Sequence, residues 1–306
     1  MNRGMFVAGG AALGMARLLP VSGRAVDEGY VAGLADQTTD LEGRYEHGHL
    51  VQVMDSAGSH ERCVSLLDYM STSAAHRQLQ VVAGATALLV GILAREVGLW
   101  AWSRQYTVLA RDLAKEADCG GLEARAQSDL GTLYDPLIGD GSHADVRRYV
   151  DQAERAHSLA QRFSPPAMRS YASADLGLAY AVDKRRVEGR RALSQAAKDL
   201  GGDGAADDLG ARFVGTMDET RLAVFVGTGL LALGDAKPAI RELEGALSSG
   251  LPPRSVVNAM TTLAGAYRHT GDRQREASLL AQARGLATRH RYLRGLQRID
   301  AASQQP

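Results

Sequence analysis

Gly227-Thr228-Gly229-Leu230, followed by Gly234, Ala239 and Ala246, is the stretch that decides the fold of this chain. The same pattern of small residues returns at Gly91-Ile92-Leu93-Ala94 with Gly98, Ser103 and Ala110, and at Gly177 with Tyr180, Gly189 and Ala196. Looser copies begin at Gly131 with Tyr134 and at Ala264 with Tyr267, Gly271 and Ala277. Each copy reads as a helix, a short turn and a second helix. Two helices that cross closely need a small residue at the contact, because a large one forces the axes apart. Gly91, Gly131, Gly177, Gly227 and Ala264 supply it on the first helices. Ser103, Gly189 and Ala239 supply it on the second, and Ala277 does so one residue out of step. Units of this length bury a core only by stacking on their neighbours, which predicts an all-α solenoid. Successive first-helix anchors stand 40, 46, 50 and 37 residues apart (131−91, 177−131, 227−177, 264−227), so the expected superhelix is irregular.

The rest of the chain agrees with an all-α reading. No segment sustains the alternation of a strand, and the eight prolines fall mostly at expected helix boundaries. Residues 1–25 read as a leader or linker and 26–306 as one helical repeat domain. A helix is predicted over 26–44, and residues 45–50 read as a break before a second helix that continues through 61–72. Further predicted helices span 75–97, 100–117, 122–137, 144–162, 167–182, 186–200, 218–234, 238–247, 255–270 and 275–290. A last basic helix over 291–301 is expected to cap an open stack with a polar face. Ser142 or His143 is the expected cap of the helix over 144–162. Tyr134, Tyr180 and Tyr267 are expected to fill the space between repeats, and Gly201 to Asp208 reads as a hinge or inserted loop.

Composition excludes several function classes. Lys plus Arg equals Asp plus Glu at 35 each, whereas a protein relying on phosphate attraction should be clearly basic. Aromatic residues make up only 5%, which disfavours a base-stacking platform. Cys63 and Cys119 are too few for a disulfide framework and fit a reducing cytoplasm. Met5 to Met15 is apolar like a short signal core, but it lacks a small-residue cleavage site and is too short to span a bilayer. The Gly-rich run at Gly9 to Gly14 has no preceding strand and so fails as a phosphate loop. His47, His49, His60 and Cys63 are the one group of metal-like residue types, and their spacing matches no known ligand signature. The histidines read as capping or loop residues. Trp100 and Trp102 cannot share a helix face; one is expected to pack between repeats and the other to stay partly free. No metal and no cofactor is expected.

Leu130-Gly131 with Tyr134, Leu176-Gly177 with Tyr180 and Gly234-Asp235 with Ala239 resemble the tetratricopeptide (TPR) repeat, which implies a right-handed superhelix of antiparallel helix pairs. More specifically, Gly91 to Gly98 with Tyr106 to Ala114, and Arg44 to Leu50 ahead of them, resemble the sensor half of actinobacterial helix-turn-helix regulators. In that family the repeat array receives a peptide or small-molecule signal. A helix-turn-helix needs more chain than residues 1–25, so the expectation is a stand-alone repeat protein or one recruited to another job.

The TPR resemblance also assigns groove-facing positions on each first helix. It nominates Arg95, Arg125, Ser128, Thr132, Asp135, Tyr171, Arg221, Thr228, Asn258, Thr261 and Arg268, around an apolar floor of Ala174, Leu178 and Ala181. Arg can fork onto a carboxylate, and Asn can hydrogen-bond an extended backbone. The resulting expectation is a cytoplasmic, non-enzymatic regulator that takes a peptide, small metabolite or partner protein in its groove, with no direct nucleic-acid or membrane binding. The basic residues Arg284, Arg289, His290, Arg291, Arg294 and Arg298 read as a solvated tail. Two alternatives stay open. One is a recruited all-helical enzyme with acid-base residues in the groove; the other is a homodimer joined through exposed apolar surface near Ala83 to Leu93.

Overall fold

A computed structural model describes residues 28–46, 53–67, 73–137, 144–202, 213 and 217–304. Those residues form thirteen α-helices and no strand. They are α1 Glu28–Glu46, α2 Val53–Leu66, α3 Ser73–Glu96, α4 Trp100–Glu116, α5 Gly120–Thr132 and α6 Val146–Phe163. There follow α7 Pro166–Val182, α8 Arg186–Leu200, α9 Glu219–Ala232, α10 Ala236–Ser248, α11 Pro253–Thr270, α12 Arg273–Arg289 and α13 Leu293–Ser303. Consecutive helices pair antiparallel, and α3, α5, α7 and α9 each touch the next first helix, as stacked units must. The fold is a TPR-like α-solenoid.

The anchor residues act as the sequence implies. A Cβ on Gly91 would lie 3.2 Å from the Ser103 carbonyl oxygen and 2.6 Å from Thr107 Oγ1. On Gly227 it would lie 3.3 Å from the Ala239 carbonyl oxygen and 2.6 Å from Leu243 Cγ. The paired anchors, Gly91 with Ser103 and Gly227 with Ala239, put the two backbones of a unit in direct contact. Tyr180 donates from its hydroxyl to Glu154 on α6 at 2.8 Å, and Tyr267 donates to Glu244 on α10. Each tyrosine ties a first helix to the unit before it.

The turns within and between units share one device. At residues 98, 118, 184, 234, 271 and 291 the backbone is left-handed, with φ between 50° and 84°. The next amide then bonds back to the carbonyl five residues earlier, as in Leu99 to Ala94 and Asp235 to Leu230, both 2.8 Å. This is the Schellman closure that satisfies orphan carbonyls at a helix end. Glycine takes the position at Gly98, Gly234 and Gly271; Asp118, Lys184 and Arg291 hold it at the steric cost of a Cβ.

Several expectations are corrected. The helix over 122–137 ends at Thr132, and Leu133 to Leu137 form a turn, because the following Pro136 cannot donate to a continuing helix. Asp145, not Ser142 or His143, caps α6, its carboxylate accepting from the Arg148 amide at 3.1 Å. The break expected over 45–50 starts later, since the first helix runs through Glu46; the second helix expected after it is α2, which ends at Leu66 rather than continuing to Thr72. The loop expected over 201–208 lies outside the described residues beyond Gly202.

The stretch Ala83 to Leu93 is not an exposed apolar surface. All of it is buried, because α3 is wrapped by α1, α2, α4 and α5. By length and composition Ala74–Glu96 could cross a membrane, but 83% of its apolar window is buried inside the fold. Leu79, Val82, Leu88, Leu113 and Leu122 share this core with Val31 and Leu34 of α1 and with Phe213, which lies after α8.

Nor is the stack open. Helix α11 touches α1, so the last repeats return to the first. Arg254 at the start of α11 sits over the Tyr45 ring at 4.1 Å and the Tyr292 ring at 4.7 Å, and its Nη1 is 3.3 Å from Glu96 Oε2 at the end of α3. Tyr45 donates to the other Glu96 oxygen at 3.3 Å. Both charged side chains of this clasp are buried, at 5% and 6% exposure. The solenoid closes into a ring with its concave face inside.

Candidate ligand site in the concave interior

Two adjoining cavities fill the inside of the ring, one of about 960 Å³ and one of about 240 Å³. Leu137, Thr228, Thr262 and Arg298 line both. The larger lies where the two ends of the solenoid meet, between Arg95 and Trp100 on one side and Arg268, Arg294 and Arg298 on the other. Leu231, Leu233 and Leu137 give it apolar wall. The smaller lies beneath Arg125, Tyr171, Arg221, Phe225 and Asn258.

The nominated residues divide between these spaces. Arg95, Thr228, Thr261 and Arg268 line the larger cavity, and Arg125, Asp135, Tyr171, Arg221, Thr228 and Asn258 line the smaller. Ser128 and Thr132 line neither. Ser128 is fully buried and donates to Asp175 on α7, while Thr132 donates to the Ser128 carbonyl at 3.3 Å. Of the expected floor, Leu178 lines the smaller cavity, whereas Ala174 and Ala181 are buried between helices.

Partners fix most of these side chains. Arg95 Nη1 donates to Asp129 Oδ1 at 3.1 Å and Arg125 Nε to Oδ2 at 2.8 Å, so one carboxylate holds two guanidinium groups. Burial opposes the charged Asp129, but Arg125 and Arg95 overcome it and keep its carboxyl below the usual range. Arg125 also stacks over Tyr171 at 4.6 Å, and Tyr171 meets Phe225 edge-on at 5.5 Å. Arg268 is held by Glu276 and the Ala302 carbonyl. Asn258 Oδ1 accepts from Arg298 at 2.8 Å and from Tyr292 at 3.2 Å. Thr228 and Thr261 spend their hydroxyls on carbonyls of their own helices, at 2.7 and 2.8 Å.

Two buried carboxylic acids stand behind the smaller cavity. Asp135 is fully buried, with Oδ1 accepting from the Leu137 amide at 2.8 Å and Oδ2 without a partner. Burial raises its pKa to about 7, with Asp175 adding to the rise and Arg298 and Arg294 opposing it. Asp175 is raised to about 6, again mainly by burial, although Ser128 and Tyr149 donate to it.

The closing helix departs most from the sequence reading. Arg294 is not part of a solvated basic tail: it is 5% exposed, lies over the Trp100 ring at 5.1 Å and lines the larger cavity. Arg298 likewise turns inward onto Asn258. Their spacing of four residues on one helix face was the available signal. Trp100 is the tryptophan at the cavity, and Trp102 packs beside Tyr106 at 6.1 Å.

The histidine reading also changes at one position. His60 is neither a cap nor in a loop: it is buried in α2, with Nδ1 3.2 Å from the Ala83 carbonyl oxygen and 3.3 Å from Thr86 Oγ1. Cys63, one turn on, is buried and its thiol is pushed up to about 12 by that burial. No group of three potential metal ligands occurs among the described residues, and His47 and His49 lie outside them.

No family model matches the chain, and no curated protein matches it. Solved structures do. BtubC (BKLC) from P. vanneervenii is 14% identical, with 78% of this chain and 91% of that chain covered at a TM-score of 0.50. A putative kinesin light chain from Podosopora anserina, with nearly identical TPR-like repeats, is 15% identical over 67% of this chain and 94% of its own, at 0.40. At such identity the likeness speaks to the fold alone: this chain is similar to TPR-like repeat solenoids.

Proposed function

We propose that the chain is a non-enzymatic TPR-like binding protein that takes a small molecule or short peptide inside its ring and acts as a regulator. The observation that carries this reading is the cavity of about 960 Å³ between the two ends of the solenoid, near the upper size of small-molecule sites. A ligand there touches the first and the last repeats at once. It therefore favours the closed ring over an opened one by its difference in affinity for the two. The resemblance to the sensor halves of actinobacterial regulators supports the same role, in a cytoplasmic setting. Native mass spectrometry of protein purified gently from its host tests the reading. A discrete co-purifying small molecule or peptide, released on denaturation, is the expected result; an empty ring bound stoichiometrically to a protein partner through its outer face overturns it.

A second reading, an all-helical enzyme, is favoured by Asp135, a buried acid with a pKa of about 7 at a cavity wall. Turnover of the co-purified compound, lost in Asp135→Asn while its binding persists, would select this reading over the first.

A further inference from the structure

The chain is neutral overall, but its larger cavity is not. Its lining includes Arg95, Lys184, Arg186, Arg268, Arg294 and Arg298, and no Asp or Glu. Three of these six cations are neutralised by carboxylates. Arg95 bonds Asp129, Arg186 bonds Asp235 and Arg268 bonds Glu276. Lys184 donates to the Ala232 carbonyl at 3.3 Å at the exposed edge. Arg294 and Arg298 stand one turn apart on α13, and neither pairs with a carboxylate among the described residues. Arg298 spends a donor on the neutral Asn258 amide.

Arg294 is the extreme case. It is 5% exposed, and both Nη1 and Nη2 are buried with no hydrogen-bond partner. Its guanidinium lies against the Trp100 ring instead. A buried guanidinium without an acceptor is costly, and burial, with Arg95 adding to it and Glu96 opposing, pulls its pKa down to about 10. The cost is removed by a group that supplies two acceptors and one negative charge in the plane of the guanidinium. A carboxylate does so, as a bidentate partner. Around it, Trp100, Leu231 and Leu233 offer apolar surface for the rest of such a molecule.

We infer that the larger cavity is a carboxylate site, in which Arg294, flanked by Arg298, receives the acid group of a small amphipathic ligand whose apolar body lies against Trp100 and the leucines at the end of α9. This rests on the reading of the ring interior as a binding site, and it names the ligand's chemistry. A free organic acid and the C-terminus of a short apolar peptide carry the same group.

The two tryptophans of the chain allow a direct test. In a full-length Trp102→Phe background the emission reports on Trp100, beside Arg294. Four probes are titrated: octanoate, octanamide, and N-acetyl-trileucine as its acid and as its amide. At least one acid should change the emission saturably, with its amide roughly ten- to hundredfold weaker, the factor expected for losing a charged hydrogen-bonded pair. Arg294→Gln should weaken the acid by a similar factor and leave the amide unchanged. Where Arg294→Gln disturbs folding, Arg298→Gln should weaken the acid in the same direction by a smaller factor. The tighter acid of the two assigns the source. Equal affinity for acid and amide, or acid binding unaltered by both substitutions, overturns the carboxylate site while leaving a ligand-binding ring intact. Failure of both acids to bind also overturns it; the ring reading is then judged separately by the mass of the co-purified species.

Discussion

Glu96, the last residue of α3, and Arg254, the second residue of α11, meet at 3.3 Å across the gap between the two ends of the solenoid. The contact converts an array of nearest-neighbour interfaces into a closed ring. In an open solenoid each unit answers only to its neighbours. Here the first and last units are coupled, and the cavity between them exists only while they are together.

Removing one partner of the clasp should therefore open the ring as well as destabilise it. In Glu96→Gln the Arg254 charge stays buried among Tyr45 and Tyr292 without its anion. The expected cost is about 3 kcal/mol, the scale for stranding one member of a buried pair. Urea unfolding measures the loss, and small-angle scattering should show a larger radius of gyration with the far-ultraviolet circular dichroism unchanged. An unaltered radius with a cost below about 1 kcal/mol would mean that the clasp merely decorates a ring held by other contacts. The double variant Glu96→Gln/Arg254→Met should recover part of the loss, because no charge remains stranded.

Glycines in different settings should respond with opposite signs. A Cβ at Gly91 meets Thr107 Oγ1 at 2.6 Å and two backbone atoms at 3.2 Å, so Gly91→Ala must push α4 away from α3. The expected cost is about 2 kcal/mol, as for overpacking a tight core. A Cβ at Gly285, within α12, meets nothing within 4 Å. Gly285→Ala should stabilise by about 0.5–1 kcal/mol through helix propensity alone. Chemical denaturation of the two single variants reads both signs; a gain at Gly91 would show that the anchor is not a packing constraint.

The anchor glycines also show why the fold was legible and the site only in part. Gly91, Gly177 and Gly227 recur with a small residue twelve positions on, and that local pattern fixes each unit's packing. The turns were half legible for the same reason: Gly98, Gly234 and Gly271 announce a left-handed position, while Asp118, Lys184 and Arg291 adopt it without any sequence sign. Groove positions counted along a first helix put Arg95, Arg125 and Asn258 on the cavity walls. The same count failed at Ser128 and Thr132, where α5 turns that face toward Asp175 and its own backbone. Ring closure was not legible at all. Glu96, Arg254 and Arg294 look like ordinary surface charges in their own helices, and their meeting depends on rotation accumulated over every unit between them.

Asp135 should make the stability of the protein fall as pH rises. Its folded pKa, about 7, lies above the ordinary value of 3.8, so the fold prefers the protonated acid. The associated stability is fully present below about pH 4 and is lost as pH climbs through 7. Asp175, Arg294 and Arg298 act on the same group, and Asp175, raised to about 6, adds a loss of the same sign. Asp135→Asn keeps an acceptor for the Leu137 amide and cannot ionise. It should be more stable than the parent at pH 8 by about 4 kcal/mol, with the difference shrinking toward zero at about pH 4. Urea midpoints at the two pH values decide the matter; a difference independent of pH would mean that Asp135 ionises freely in the fold.

His60 should set the opposite slope on the acid side. Burial lowers its pKa from 6.5 to about 4, against the raising effect of the Ala83 carbonyl, so the ring is neutral in the fold and charges more readily in the unfolded chain. The stability tied to this shift is present above about pH 6.5 and is lost as pH falls toward 4. The ring packs edge-on to Tyr106 at 5.5 Å and holds Thr86 and Ala83 of α3, so its protonation strains the joint between α2 and α3. His60→Gln removes the titration while keeping a donor for the carbonyl. The variant should lose about 1–2 kcal/mol at about pH 7.5 through poorer packing, and noticeably less at about pH 4.5, where the parent has surrendered its own advantage. Nuclear magnetic resonance of the His60 ring protons gives the direct measurement: a titration midpoint near 4 is expected, and one near 6.5 would show that the ring is solvated.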